Sequence, residues 1–291
     1  MKRITTTLLA MLLAMILKAQ SYSETINKEI TFKNNSPANV LHVANLNGGI
    51  KVEAYAGDKV LMQIKKKVNA KTQQQLEESK EKLRIGVMED LDTVIVFIEG
   101  PCESSKKQQD RRGAGGEWFY NQCNCDYEYQ FTFDFSIKVP KDLNLYVSTI
   151  NHGDISVSGV SGSLHVRNIN GSITMSGVAG QADVHTVNGD VTLDYAALPN
   201  ATSSYYTLNG DINALFPKGL KADMTFKSYN GDFYTNIDQL EYKSAVVEKR
   251  SNEGSGIGFK LDSRSAMSVG GGGVLLDFET FNGDVFVKEK Q

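Results

Sequence analysis

The sequence predicts an all-β fold: a single-stranded β-helix (β-solenoid) of about 18–21 residues per coil, with one short helix and a long hairpin insert. Three observations carry this. Glycines fall every nine residues at Gly153, Gly162, Gly171, Gly180 and Gly189. Apolar and polar residues alternate between them. An Asn-Gly step then recurs at wider, regular intervals along most of the chain.

Read from each glycine, the blocks are GDISVSGVS, GSLHVRNIN, GSITMSGVA, GQADVHTVN and GDVTLDYAA. Their third positions (Ile155, Leu164, Ile173, Ala182, Val191) and fifth positions (Val157, Val166, Met175, Val184, Leu193) are all apolar, and the fourth and sixth are all polar. Period-two alternation sends one set inward and the other out, so each block holds one short half-buried strand. The eighth position is apolar as well: Val160, Ile169, Val178, Val187 and Ala196. A hairpin tip faces water, whereas a solenoid corner can turn a side chain into an enclosed core. These five are therefore expected inside. They favour stacked coils over the antiparallel meander or sandwich that Asn-Gly turns also allow.

The corner residues follow from stacking. Asn170-Gly171 and Asn188-Gly189 lie 18 residues apart; Asn209-Gly210 and Asn230-Gly231 each follow 21 further on; Asn282-Gly283 repeats the step near the C-terminus, and Asn47-Gly48 near the start. Coils that place like over like let Asn amides form a ladder, and Gly supplies the φ > 0 of a tight corner. These Asn and Gly residues are structural corner positions.

Before the repeats, strands are expected at 30–33, 40–45, 50–54, 60–68 and Thr93–Glu99. Residues 71–83, rich in Glu, Gln, Lys and Leu, read as a helix with Leu76 and Leu83 as a thin apolar stripe, suited to capping an exposed coil. Residues 100–128 change composition abruptly, with Lys106, Lys107, Arg111, Arg112 and Trp118 near a glycine-rich tip. This is a hairpin insert whose tip is a solvated loop or a contact for an acidic glycan or anionic surface. Regular repeats span about 150–237 and the final coils run to 287. Residues 20–291 are thus read as one solenoid domain.

Residues 1–19 read as a secretory signal peptide: Lys2 and Arg3, an apolar run over 8–17, and Ala19 at a cleavage position. An uncleaved anchor is the alternative. The first cysteine is Cys102, so no thiol follows the apolar run for lipidation. Cleavage leaves 28 basic against 34 acidic side chains, a balance of −6. No later segment is apolar for long enough to span a membrane. An exported protein, periplasmic or at the cell surface, is expected. At 41% apolar and 22% charged residues the chain is neither disordered nor polytopic, and its acidity argues against nucleic acid. Cys102, Cys123 and Cys125 allow one disulfide, from Cys102 to either of the others; a metal site or free thiols are the alternatives.

The Asn-Gly-Asp/Ser steps followed by Ile/Val-x-Val, the start at 41–54, the helical excursion and the signal peptide resemble the bacterial putative-adhesin β-helix family of cell-envelope proteins. The resemblance covers roughly residues 40–290. It implies a β-helix and export, and it implies no catalytic residues.

The residues themselves nominate little chemistry. The outward positions offer Asp183, Asp194, Arg167, His165 and His185, with His165 and His185 expected on one face. No local motif joins them, so an ordinary polar surface is the simpler reading. The Asp after Gly recurs at Asp154, Asp190, Asp211, Asp232 and Asp284 but is missing after Gly162, Gly171 and Gly180. A calcium column is therefore not expected; these Asp should accept backbone hydrogen bonds at the corners. Tyr195, Tyr205 and Tyr206 are candidate stacking surfaces for sugars on a face almost free of Lys and Glu. The expectation is an exported, non-enzymatic, adhesin-like binding or structural module without cofactor or metal, whose partner is a glycan or cell-surface protein. The alternatives are a glycan-active lyase or hydrolase on the same scaffold, and an accessory of an envelope sensing system.

Overall fold

The computed structural model describes residues 20–34, 36–100, 129–243, 247–252, 256–261 and 265–291. The signal-peptide segment, residues 101–128 of the insert, and Cys102, Cys123 and Cys125 lie outside the described residues.

The strands preceding the repeats are β1 (Gln20–Ile30), β2 (Val40–Ala44), β3 (Ile50–Tyr55), β4 (Val60–Ala70), β5 (Arg84–Asp90), β6 (Thr93–Glu99) and β7 (Tyr129–Pro140). The repeats supply β8 (Asn144–Thr149), β9 (Ile155–Ser158), β10 (Leu164–Asn168), β11 (Ile173–Val178), β12 (Ala182–Asn188), β13 (Val191–Tyr195), β14 (Ser203–Asn209) and β15 (Ile212–Phe216). Then follow β16 (Ala222–Lys227), β17 (Phe233–Thr235), β18 (Leu240–Lys243), β19 (Val247–Asn252), β20 (Gly256–Leu261), β21 (Ser265–Val269), β22 (Val274–Asn282) and β23 (Val285–Glu289). The one described helix is α1 (Gln73–Lys82). Two large sheets result. The eleven-stranded one is ordered β5-β6-β2-β8-β10-β12-β14-β22-β16-β21-β18, and the ten-stranded one β1-β4-β7-β3-β9-β11-β13-β15-β23-β17.

The all-β expectation holds, and the arrangement is solenoid-like. From β8 to β17 the chain alternates between the two sheets, so each of these coils gives one strand to each; after β17, strands β18, β21 and β22 all join the eleven-stranded sheet, and β19 and β20 form a separate two-stranded one. Pairing between successive coils is parallel. Leu164 lies opposite Ala182 and Ile173 opposite Val191, 18 residues on. Asp183 lies opposite Ser204 and Val191 opposite Ile212, 21 residues on. The third- and fifth-position residues of all five blocks are at most 1% exposed, as the alternation requires. Like stacks on like inside: Phe278 lies 5.0 Å from the Tyr205 ring and 5.3 Å from that of Phe226.

Coil order departs from expectation at both ends. The β2/β3 coil lies between β6/β7 and β8/β9, and the C-terminal β22/β23 coil lies between β14/β15 and β16/β17. The last coil is therefore internal, not terminal. Its Phe278 fills the core between Tyr205 and Phe226, and Thr280-Phe281-Asn282-Gly283-Asp284 repeats Thr207-Leu208-Asn209-Gly210-Asp211 in register.

The eighth positions split. Val160 and Val178 are fully buried, whereas Ile169 is 41% exposed, Val187 half-buried and Ala196 exposed. The reason is strand phase. Thr186 and Asn188 flank Val187, and the chain turns Thr186 inward at the Asn-Gly corner, so the next side chain must point out.

The described residues divide into two compact units: those within 20–24, 66–84, 99–100 and 129–131, and those within 25–65, 85–98 and 132–291. In the first, α1 is two residues shorter at its start and one at its end than 71–83. Thr72 is its N-cap in a capping box with Gln75, and Leu83 is its C-cap. Leu76 and Leu83 are buried, as their spacing predicts. Lys66 is 2% exposed; its Nζ donates to the Leu83 carbonyl at 2.8 Å and lies 3.1 Å from Glu24 Oε1, so a buried ammonium satisfies the end of the helix.

Candidate functional site

The second unit carries two surfaces built by stacking. The first is the Asn-Gly corner, where each coil brings four consecutive roles. A buried hydroxyl or amide points inward and donates to the glycine carbonyl of the adjacent coil: Thr149 to Gly48 at 2.8 Å, Thr186 to Gly171 at 2.9 Å, Thr207 to Gly189 at 2.8 Å, and Thr280 to Gly210 at 3.1 Å. The next residue points out and is apolar: Leu46, Ile150, Ile169, Val187, Leu208, Phe281 and Tyr229. The Asn then bonds to its neighbour's amide. Asn170 donates to Asn151, Asn188 to Asn170, Asn209 to Asn188, Asn282 to Asn209 and Asn230 to Asn282, all at 2.7–2.9 Å. The expected ladder is present, threaded through the intercalated coil.

Glycine is required here by close approach more than by dihedral. A Cβ on Gly171 would lie within 3.0 Å of the Gly153 carbonyl oxygen, although Gly171 itself has no left-handed φ. Gly189 combines the same approach, to Gly171, with φ +154°. The φ > 0 expected of Gly171 and Gly231 is thus corrected: it holds at Gly189, Gly210 and Gly283.

The residue after Gly completes the corner. Asp154, Ser172, Asp190, Asp211, Asp284 and Asp232 form one column. Each Asp except the last accepts the backbone N–H of the next rung: Ser172 to Asp154 and Asp284 to Asp211 at 2.8 Å, Asp211 to Asp190 at 2.9 Å, and Asp232 to Asp284 at 2.8 Å. The expected backbone role is present. Asp284 adds a rung between Asp211 and Asp232, and Ser172 interrupts the acidic column between Asp154 and Asp190. Among the described residues no group of three acidic, His or Cys side chains is placed to hold a metal ion.

The second surface is the outer face of the eleven-stranded sheet. Strand register lines up two rows: His42, Tyr146, His165, Asp183, Ser204 and Asp277, and beside it Ser148, Arg167, His185, Tyr206 and Glu279. Asp183 is the hub. Arg167 forms a forked pair with its carboxylate, His165 Nδ1 lies 3.2 Å from Oδ2, and Ser204 Oγ donates to Oδ1 at 2.7 Å. Burial pushes the Asp183 carboxyl up, but the bonds from His165, Arg167 and Ser204 outweigh it and hold the group well below the usual carboxylate range. Tyr146 stacks over His165 at 5.7 Å, and Tyr206 meets His185 edge-on at 4.3 Å.

Of the residues singled out in the sequence, this face unites His165, Arg167, Asp183, His185 and Tyr206. Asp194 lies on the other sheet, paired with Lys290 at 2.5 Å. Tyr195 and Tyr205 are not surface groups: both are at most 1% exposed and their hydroxyls meet at 2.7 Å inside the core. Strand phase decides this, since Tyr195 and Tyr205 occupy inward positions and Tyr206 the outward one. Tyr146, Ser204 and the inward Thr were not singled out beforehand. The Thr-x-Asn-Gly-Asp spelling at 186–190, 207–211 and 280–284 carried the signal for the last.

A family model described as Toastrack DUF4097 matches residues 47–260. The chain belongs to the Toastrack DUF4097 family. The match bears out the resemblance read from the Asn-Gly-Asp steps. Similar solved structures include a putative cell adhesion protein from Clostridium sporogenes (11% identity, 94% of this chain and 100% of that one, TM-score 0.37). A putative adhesin from Bacteroides fragilis is similar over 92% of this chain and 97% of its own (11% identity, TM-score 0.39). A putative lipid binding protein from Parabacteroides distasonis shares 9% identity over the same proportions, with TM-score 0.26. No curated protein matches the chain. Among the described residues of this Toastrack chain, no helix is long and apolar enough to cross a membrane.

Proposed function

We propose that this Toastrack chain is an exported, non-enzymatic binding module of the bacterial cell envelope, adhesin-like in use and built on a single-stranded β-helix. In this reading a glycan or a cell-surface protein meets the outer face of the eleven-stranded sheet. The observation that supports it most is the Asp183 hub. Side chains from the two flanking coils converge on one carboxylate, so its acceptor oxygens are committed within the face. Such a group orients its neighbours and holds His165 beneath Tyr146, which favours recognition by a preorganised surface. Ser204 donates to a carboxylate whose proton affinity is lowered by the bonds from His165 and Arg167, which makes it a poor base for activating that hydroxyl.

The test is a glycan array and a pull-down from envelope fractions with residues 20–291. Binding without consumption of the ligand is expected, weakened at least tenfold by Arg167→Ala or Tyr206→Ala. Turnover of a glycan that Asp183→Asn abolishes would contradict the reading.

A further inference from the structure

The outward apolar residues of the Asn-Gly corner form a stripe that is left uncovered among the described residues. Ile169 and Phe281 are each 41% exposed and Tyr229 is 63% exposed. Val187, Leu208 and Ile150 continue the same line, half-buried. The line is continuous because strand register puts each residue over the next, and the Phe281 and Tyr229 rings stack at 4.8 Å. A contiguous exposed apolar line marks an interaction surface more often than a scattered set does.

Charge chooses the occupant. Along one flank runs the column Asp154, Asp190, Asp211, Asp284 and Asp232. Their hydrogen bonds within the protein are to neutral groups, and none of the five forms an ion pair among the described residues. On the other flank the cations are already committed: Arg167 to Asp183, and Lys227 to Glu279 at 2.6 Å. The stripe is thus bordered by unneutralised negative charge on one side and a locally paired face on the other.

Spacing chooses the conformation. Parallel strands repeat at roughly 4.8 Å, so the six rungs from Ile150 to Tyr229 span about 24 Å. An extended peptide presents side chains to one face every ~6.7 Å, which drifts out of step with the rungs. An α-helix presents an apolar row with a mean step of about 5.4 Å, nearer the rung repeat, and about 16 residues cover the length.

From this juxtaposition we infer that the Asn-Gly edge docks a cationic amphipathic helix of about 16 residues, its apolar row on the Ile169–Phe281–Tyr229 stripe and its Lys/Arg row on the Asp column. The inference concerns a different surface from the Asp183 face and stands or falls separately from it.

The experiment titrates residues 20–291 into a fluorescently labelled 18-residue Leu/Lys amphipathic helix, read by anisotropy, with a Leu/Glu helix of the same pattern as control. The Leu/Lys helix binds, the Leu/Glu helix binds at least tenfold more weakly, and raising salt from 50 to 300 mM weakens binding severalfold. Phe281→Ser with Tyr229→Ser, and separately Asp190→Asn with Asp211→Asn, each weaken it at least tenfold while the melting temperature and the ligands of the Asp183 face are retained. Equal binding of both helices, or unchanged binding in either pair of variants, overturns the inference. So does a dimer in solution that Ile169→Asp dissociates, because a second copy would then be the occupant. Binding of the mature chain to zwitterionic vesicles through the same stripe, with no peptide binding, also overturns it.

Discussion

Replacing Gly171 by Ala places a methyl group within 3.0 Å of the Gly153 carbonyl oxygen, in a column where every rung is held by parallel backbone bonds. Neither partner can yield without shifting a coil, so the cost is that of overpacking a rigid site, about 2 kcal/mol. The sign is the informative part. Gly171 has no left-handed φ, so without the close approach Ala would stabilise by roughly 0.5–1 kcal/mol through the unfolded chain. Gly219 supplies the complementary control. Its φ is +84°, and a Cβ there meets nothing within 4 Å, so Gly219→Ala reads the dihedral cost alone, about 1 kcal/mol. Gly189→Ala carries both effects and should cost roughly 3–4 kcal/mol, a large fraction of the stability of a typical domain. Urea unfolding of residues 20–291, followed by far-ultraviolet circular dichroism, ranks the three. The expected order of loss is Gly189→Ala, then Gly171→Ala, then Gly219→Ala. A Gly171→Ala protein as stable as the parent would refute the stacking argument.

His42 is 3% exposed and burial pushes its imidazole from 6.5 down to about 4. Between those pH values the unfolded chain binds a proton that the folded chain refuses, so stability present above pH 6.5 is lost as pH falls, by about 3 kcal/mol in all. His42→Leu should flatten that part of the stability–pH profile, and an unchanged slope would count against the assignment. Leu91 holds φ +46° at a hairpin tip while 86% exposed, so Leu91→Gly removes strain without losing packing and should raise stability by about 1 kcal/mol in the same urea assay; a loss would show that the exposed side chain has a partner. Tyr205→Phe and Tyr195→Phe should each cost about 1 kcal/mol and the double variant less than their sum, because each single change removes the same hydroxyl–hydroxyl bond, while Ser203 remains a partner for the hydroxyl that is left. Strict additivity would contradict that.

What the sequence made legible is what short-range pattern determines. Strands β2, β3, β4 and β6 fall close to their expected positions, since alternation of apolar residues and the glycines at their ends are local signals. The Asn ladder was legible for the same reason. Strand β1 was not: Gln20–Ile30 has only Tyr22, Ile26 and Ile30 as large apolar residues, and its side chains remain half-buried or exposed up to Ile30. The outward turn of Ile169 and Val187 was missed because an apolar residue at a corner does not declare its side. The preceding inward Thr or Asn does, and its hydroxyl or amide was the overlooked clue. Coil order was out of reach because the bond from Asn282 to Asn209 spans 73 residues and that from Asn230 to Asn282 spans 52, while all three carry the same Asn-Gly signature. Identical local patterns specify that coils stack but not in which order. The order here depends on which aromatic fits between which, with Phe278 seated between Tyr205 and Phe226.

Both surface columns rely on the C-terminal coil being intercalated, and disulfide trapping tests this directly. Facing residues on adjacent parallel strands lie roughly 4.8 Å apart, within the reach of a disulfide. Asn209 faces Asn282, and Asn282 faces Asn230. Under mild oxidation, with peptide mapping by mass spectrometry to separate native thiols from new ones, Asn209→Cys/Asn282→Cys and Asn282→Cys/Asn230→Cys should each cross-link efficiently. Asn209→Cys/Asn230→Cys should not, because a whole coil lies between them. Efficient trapping of the 209–230 pair, with none of 209–282, would mean that the coils stack in sequence order and would contradict the account.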